Sequence, residues 1–152
     1  MNYPEKIGDI AELEDALSQP SERDIAAMAA LDGDVMLLGA GGKMGPSLAR
    51  LVKRASVAAG VKRRVIAVAR FSDQTLLSQF AAHDIETLPA DLLKSEDLAR
   101  LPDVPNVIYM AAKKFGTSSG EMTEAAATWA MNAYLPGRVA ERFAKSRIVS
   151  FS

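Results

Sequence analysis

The sequence predicts an α/β domain built on a mostly parallel sheet. Three observations carry that expectation. Short apolar runs at 35–38 (VMLL), 64–69 (RVIAVA) and 107–112 (VIYMAA) read as strands buried on both faces. Segments with apolar residues at helical spacing alternate with them. The connections are short, and such alternation closes into a parallel sheet through right-handed crossovers.

In chain order, residues 9–31 read as helical. The stretch DIAELEDAL sets Ile10, Leu13 and Leu17 at helical spacing. Gln19-Pro20-Ser21 interrupts it, and Ser21 caps a second helix running through Leu31. Asp32-Gly33-Asp34 is a turn. The first strand, 35–38, leads into a glycine loop and a helix over 46–59 that ends near Gly60. A second strand over 64–69 precedes a helix at 73–82, for which Asp73 is an N-cap. A short third strand at 85–89 is followed by a short helix at 95–101, capped by Ser95. The fourth strand spans 107–112. A long helix over 121–145 is interrupted by Pro136-Gly137, and RIVSF at 147–151 is a fifth strand. Residues 1–33 thus form an N-terminal helical extension, packing on the sheet or on a partner, and residues 34–152 form the sheet domain.

Composition bounds the rest. The 152 residues are 49% hydrophobic and 24% charged, a globular profile with room for one core. The net charge is −1, so no basic field recruits nucleic acid. Residues 1–24 hold seven acidic and two basic side chains, net −5, which leaves +4 for residues 25–152. That acidity reads as a solvated face, and the mildly basic body suits a phosphate-bearing ligand. The absence of cysteine removes disulfides and thiolate metal sites. No apolar run has membrane-spanning length, and the first ten residues lack a signal-peptide pattern, so cytoplasm is the default location.

The stretch LGAGGKMG places Gly39, Gly42 and Gly45, with Gly41 extra, between a strand and a helix. Glycines let the backbone approach a ligand, and the helix N-terminus supplies unsatisfied N–H donors and partial positive charge. A glycine at the helix start also permits close helix–strand packing. Lys43 follows Gly42 as in a nucleotide P-loop. That pattern breaks because Leu37 stands at its first glycine and Met44 at its Ser/Thr.

With these residues in place, the chain resembles the N-terminal part of the NAD(P)-dependent epimerase/dehydratase family, the extended short-chain dehydrogenases/reductases. LGAGGKMG is similar to that family's TGxxGxxG, with Leu38 for the usual threonine. The resemblance implies a Rossmann-like doubly wound parallel sheet of about five strands, order 3-2-1-4-5, truncated after the fifth strand. It implies that Gly39, Gly41, Gly42, Lys43, Met44 and Gly45 hold a pyrophosphate. In PADLL, Asp91 would approach the adenine, with Leu92 packing nearby. NVIYMAAKK is similar to the family's fourth strand, so Ala111 and Ala112 would line the dinucleotide and Lys113 or Lys114 would reach it. WAMNAYLPG is similar to the NxxGT helix, with Asn132 as its asparagine. Family members place an acid after the second strand to bind the ribose 2′-hydroxyl. Here Ala69 is followed by Arg70, which suits a 2′-phosphate, so NADP is expected over NAD.

The family's proton transfer uses a Tyr-x-x-x-Lys helix after the fifth strand. Tyr109-Met-Ala-Ala-Lys113 matches literally, but residues 107–112 read as a strand, where four residues separate the two groups by roughly 13 Å. Tyr134 has Arg138 at that spacing and Tyr3 has Ile7. No catalytic residue is therefore assigned. Ser150 and Ser152 read as hydroxyls at a strand terminus. The chain is expected to end before the catalytic helix and the substrate-binding region. The resemblance implies an oxidoreductase acting on a nucleotide-linked sugar or similar hydroxyl substrate, with this chain alone lacking turnover. A non-catalytic dinucleotide sensor or an interaction module is the alternative. An exposed sheet edge implies a homodimer or association with a C-terminal part. His83, without neighbouring ligands, reads as a helix-end charge; Trp129, among alanines, reads as a core or interface anchor; Met36, Met44 and Met110 read as packing residues.

Overall fold

The computed structural model describes residues 6–113 and 122–151. Five strands, β1 (Val35–Leu38), β2 (Val65–Ala69), β3 (Glu86–Pro89), β4 (Asn106–Tyr109) and β5 (Arg147–Ser150), form one sheet ordered β3-β2-β1-β4-β5. Every pairing is parallel; Val35 at the centre faces Val65 on one side and Asn106 on the other. This is the doubly wound, Rossmann-like topology expected from the alternation of strands and helices.

The apolar runs form the central strands because only there are both faces covered. Every residue of β1 and β2 is buried, whereas the edge strands β3 and β5 are largely exposed. Alternation along β1 divides the core into two layers. Met36 and Leu38 face α5 (Ser95–Arg100) and α7 (Leu135–Arg142), packing with Leu98, Leu135, Val139 and Phe143. Val35 and Leu37 face α3 (Gly45–Ala58) and α4 (Gln74–Ala82), packing with Ala49, Val52 and Phe80.

Two of the helix starts that the sequence assigns a cap follow that chemistry, and a third does not. Ser21 and Asp24 form a reciprocal capping box on α2 (Glu22–Ala30). Asp73 accepts from the Thr75 N–H at 2.9 Å. At α5 the N-cap is Lys94 and no side chain caps; Ser95 is already the first helical residue. The α5 start is held instead by the Asp91 turn, whose carbonyl accepts from the Lys94 N–H at 2.9 Å.

Two further expectations are corrected. The fourth strand ends at Tyr109, not Ala112: the Met110 N–H makes a last bond to the Leu38 carbonyl, and Lys113 beyond it is bonded through both backbone groups to the Asn132 side chain. The long helix is broken upstream of its proline. α6 (Met122–Trp129) passes into a π-turn at Ala130–Tyr134, and Pro136 lies in the first turn of α7, where its missing N–H is tolerated. Among the described residues no helix is long and apolar enough to cross a membrane.

The N-terminal helices sit on α3, with no buried residue on either α1 (Ile10–Leu17) or α2. Polar ties hold them. The Asp15 carboxylate accepts from Arg50 at 2.7 Å and Arg54 at 2.9 Å. Arg63 donates from Nη2 to the Met28 and Leu31 carbonyls, at 2.6 and 2.7 Å, closing the end of α2. The acidic segment is thus only partly a solvated face, since Asp15 is spent on the body. The hydrogen bond from Arg54 holds the Asp15 carboxyl below its ordinary 3.8. A carboxylate lowered in this way contributes stability above that value and loses it as pH falls through the folded-state value. Asp15→Asn is expected to speed amide hydrogen exchange in α1 at neutral pH while leaving β1 and β2 protected. Acidification below pH 3.8 is expected to release α1 in the unsubstituted chain, without effect on the variant's α1.

Candidate functional site

β1 delivers the chain to a turn that only glycine can make. Gly39 has φ +92, and a Cβ there would lie 2.6 Å from the Ala111 backbone nitrogen. The N–H groups of Gly39 and Ala40 both donate to the Val68 carbonyl, at 2.9 and 3.0 Å, which ties the loop to the end of β2. A Cβ on Gly45 would meet the Ala40 carbonyl oxygen at 1.8 Å, so α3 can start this close to the loop only with glycine at that position. α3 has no side-chain cap. Among the described residues, the N–H groups of Gly41, Lys43 and Met44 take no acceptor. The loop therefore presents unclaimed donors at a helix N-terminus, the arrangement that binds anions.

A cleft of about 500 Å³ opens beside it, across the carboxyl ends of β1 to β4. Gly39, Gly41 and Gly42 form one wall. Arg70 follows β2, Asp91 and Leu92 follow β3, and Ala111, Ala112 and Lys113 follow β4; all six line the cleft. Such a crevice, where neighbouring crossovers leave on opposite faces, is the general ligand position in doubly wound sheets. Lys43 and Met44 are exposed on the loop outside this lining, and Gly45 is buried beneath it. Asn132 stands behind the lining, bonded to the Lys113 backbone. Lys114 lies outside the described residues, as does Ser152.

Arg70 is exposed, and among the described residues no carboxylate pairs with it. Asp73, three residues on, is turned to its cap, accepting from the Thr75 N–H and hydroxyl, so it does not neutralise Arg70. The Asp91 carboxylate accepts from the Leu93 N–H at 3.1 Å, and its own N–H donates to Asp97 at 2.9 Å. That backbone bond, helped by Arg100, holds the Asp97 carboxyl below its ordinary range against its partial burial.

Several lining residues were missed in the sequence reading: Phe71, Ser72, Leu76 and Leu93 on one side, Ala127 and Met131 on the other. Phe71 adopts φ +47, an uncommon conformation for a bulky side chain that costs on the order of 1–3 kcal/mol. Its buried ring meets Phe80 edge-on at 5.9 Å, which anchors the turn between Arg70 and Ser72. Nothing in residues 70–72 announces that conformation; the Phe80 ring that packs on Phe71 belongs to α4.

The remaining candidates fall elsewhere. Tyr109 is 4% exposed on β4, and its hydroxyl donates to the Met131 carbonyl, so the literal Tyr109-x-x-x-Lys113 match is no helical acid/base pair. Burial pushes its phenol above the ordinary value. Tyr134 lies beneath the Arg138 guanidinium. Ser150 is exposed on β5. His83 caps the end of α4, away from the cleft, and is pushed below its ordinary value by burial and then by Arg50 and Arg54. Trp129 is 63% exposed, which excludes the core placement. Among the described residues no group of acidic or histidine side chains could hold a metal.

Gly45→Ala is expected to destabilise the chain by about 1–3 kcal/mol or to abolish folding, the range for overpacking a tight contact. A urea denaturation curve reads this directly, and Gly42→Ala, where the nearest foreign atom is 3.8 Å away, serves as the mild control.

No protein-family model matches the chain, and no curated protein matches it in sequence. The chain's likeness to known proteins accordingly rests on topology: a Rossmann-like parallel sheet of the kind found in NAD(P)-binding proteins.

Proposed function

We propose that the cleft binds a dinucleotide, NADP in preference to NAD, and that the chain is the NAD(P)-binding portion of an epimerase/dehydratase-like oxidoreductase. The observation that carries this reading is the glycine loop, which presents unclaimed N–H donors at the start of α3 and opens directly into the cleft. The pyrophosphate would lie on Gly41, Gly42 and the adjoining Lys43 and Met44 amides. Arg70, with Ser72 beside it, would take the 2′-phosphate of the adenosine ribose. Asp91 and Leu92 would border the adenine, and Ala111 to Lys113 would run beside the rest of the dinucleotide. When bound, that group supplies hydride transfer. The substrate class, a nucleotide-linked sugar or similar hydroxyl compound, follows from the family resemblance alone.

One observation favours a second reading, a non-catalytic dinucleotide module. Among the described residues the tyrosines are committed elsewhere, Tyr109 to a backbone carbonyl and Tyr134 to Arg138. The partner proposal draws on the β5 edge, where Val149 is 60% and Phe151 44% exposed. A sheet edge with apolar side chains favours pairing with a second copy or with a further segment.

Titration with NADPH and NADH is expected to give tighter binding of NADPH. Arg70→Ala should erase about tenfold of that preference, the size of one charge-assisted contact. An unchanged ratio in the variant removes the NADP assignment, and binding of neither nucleotide removes the dinucleotide reading. Light scattering is expected to report a dimer; a monomer at high concentration removes the pairing proposal.

A further inference from the structure

Pro136 leaves a mark on the helix that walls the cleft. In an α-helix each carbonyl accepts from the N–H four residues on. Here the Leu135 N–H donates to the Ala130 carbonyl, five residues back. The next residue is Pro136, which has no N–H. The Met131 carbonyl is passed over by both and finds no donor in the following turn. Met131 is half-buried, and a carbonyl shielded from water gains from a protein donor. The Tyr109 hydroxyl supplies it from β4, at 3.2 Å.

The neighbouring residue completes a staple. Asn132 accepts from the Lys113 N–H through Oδ1 at 2.8 Å and donates from Nδ2 to the Lys113 carbonyl at 2.7 Å. Tyr109 and Lys113 are thus joined to adjacent residues of one π-turn. Met131 and Lys113, one partner from each link, both line the cleft.

We propose that Tyr109 is a positioning residue for the dinucleotide site: by occupying the Met131 carbonyl it holds the π-turn in the register that lets Asn132 clamp the Lys113 backbone beside the ligand. The proposal rests on the dinucleotide reading above. Its physical basis is the alternative open to the helix. Without the hydroxyl, the Leu135 N–H can move to the Met131 carbonyl, so that the helical spacing holds up to that bond and only the Asn132 carbonyl, opposite Pro136, lacks a helical donor. Losing the extra residue of a π-turn rotates one side of the helix against the other by roughly 100°. Asn132 then no longer faces Lys113, and the wall of the cleft changes.

The test uses the whole chain and three variants, Tyr109→Phe, Asn132→Ala and the double substitution. Urea denaturation establishes that each is folded, NADPH titration gives affinity, and amide hydrogen exchange reports on the Lys113 N–H. Tyr109→Phe is expected to weaken NADPH binding roughly three- to tenfold, the effect of one lost hydrogen bond. It should also expose the Lys113 amide to exchange and add nothing further in the Asn132→Ala background, since both act on one link. A purely structural role for Tyr109 would lower the urea midpoint without that non-additivity. Additive losses overturn the proposal, as does a Tyr109→Phe protein with a protected Lys113 amide and unchanged affinity. Asn132→Ala with unchanged affinity overturns it even if Tyr109→Phe does not fold. If the unsubstituted chain binds neither NADPH nor NADH, the dinucleotide reading fails and takes this proposal with it; if it binds, only the role of Tyr109 is at stake.

Discussion

The close approach of three backbones at the end of β1 is the constraint on which the rest depends. Gly39 lies against the Ala111 backbone, and Gly45 lies against the Ala40 carbonyl. Neither contact has room for a Cβ. Together they fix where α3 begins relative to the sheet and how near the chain leaving β4 can come to the loop. The cleft is the space left over once these contacts are made. Its glycine wall and its β4 wall meet at Gly39 and Ala111, both of which line it.

The side of the cleft formed by α6 and the π-turn is built differently. No glycine is involved there. A proline within an uninterrupted α-helix costs roughly 3 kcal/mol, through a lost hydrogen bond and a ring clash. The chain places the defect as a π-turn ahead of Pro136, so the ring falls in the first turn of α7. The carbonyl that remains is met by Tyr109, and the next side chain ties down Lys113. A local backbone defect becomes a link between two elements that line one site.

Charge is arranged with similar economy around the loops after β2 and β3. Asp73 and Asp91 both spend carboxylate oxygens on nearby backbone N–H groups. Arg70 is thereby left without a carboxylate partner among the described residues, at the edge of an open crevice. Along the middle of α3 the charges are paired: Arg50 and Arg54 meet Asp15 and so attach α1. Basic residues serve attachment in one place and face an open cleft in the other.

Much of this was legible in the residues. The buried strands announce themselves by continuous apolar runs, because a central parallel strand is covered on both faces. Gly39 and Gly45 mark their turns because no other residue fits, and Ser21 and Asp73 mark helix starts because their side chains meet free N–H groups within three residues. Each of these is a short-range relation, written in neighbouring residues. The tertiary structure decided the rest. That Tyr109 answers a carbonyl 22 residues away, that Asn132 takes the Lys113 backbone across 19, and that the Phe80 ring packs on the left-handed Phe71 are relations between different elements of the fold. The residues around Asn132 and Tyr109 draw attention to both, but nothing local names the partner that the tyrosine, the asparagine or the phenylalanine meets. Only packing β4 against the π-turn, and α4 against the sheet, brings the partners within reach.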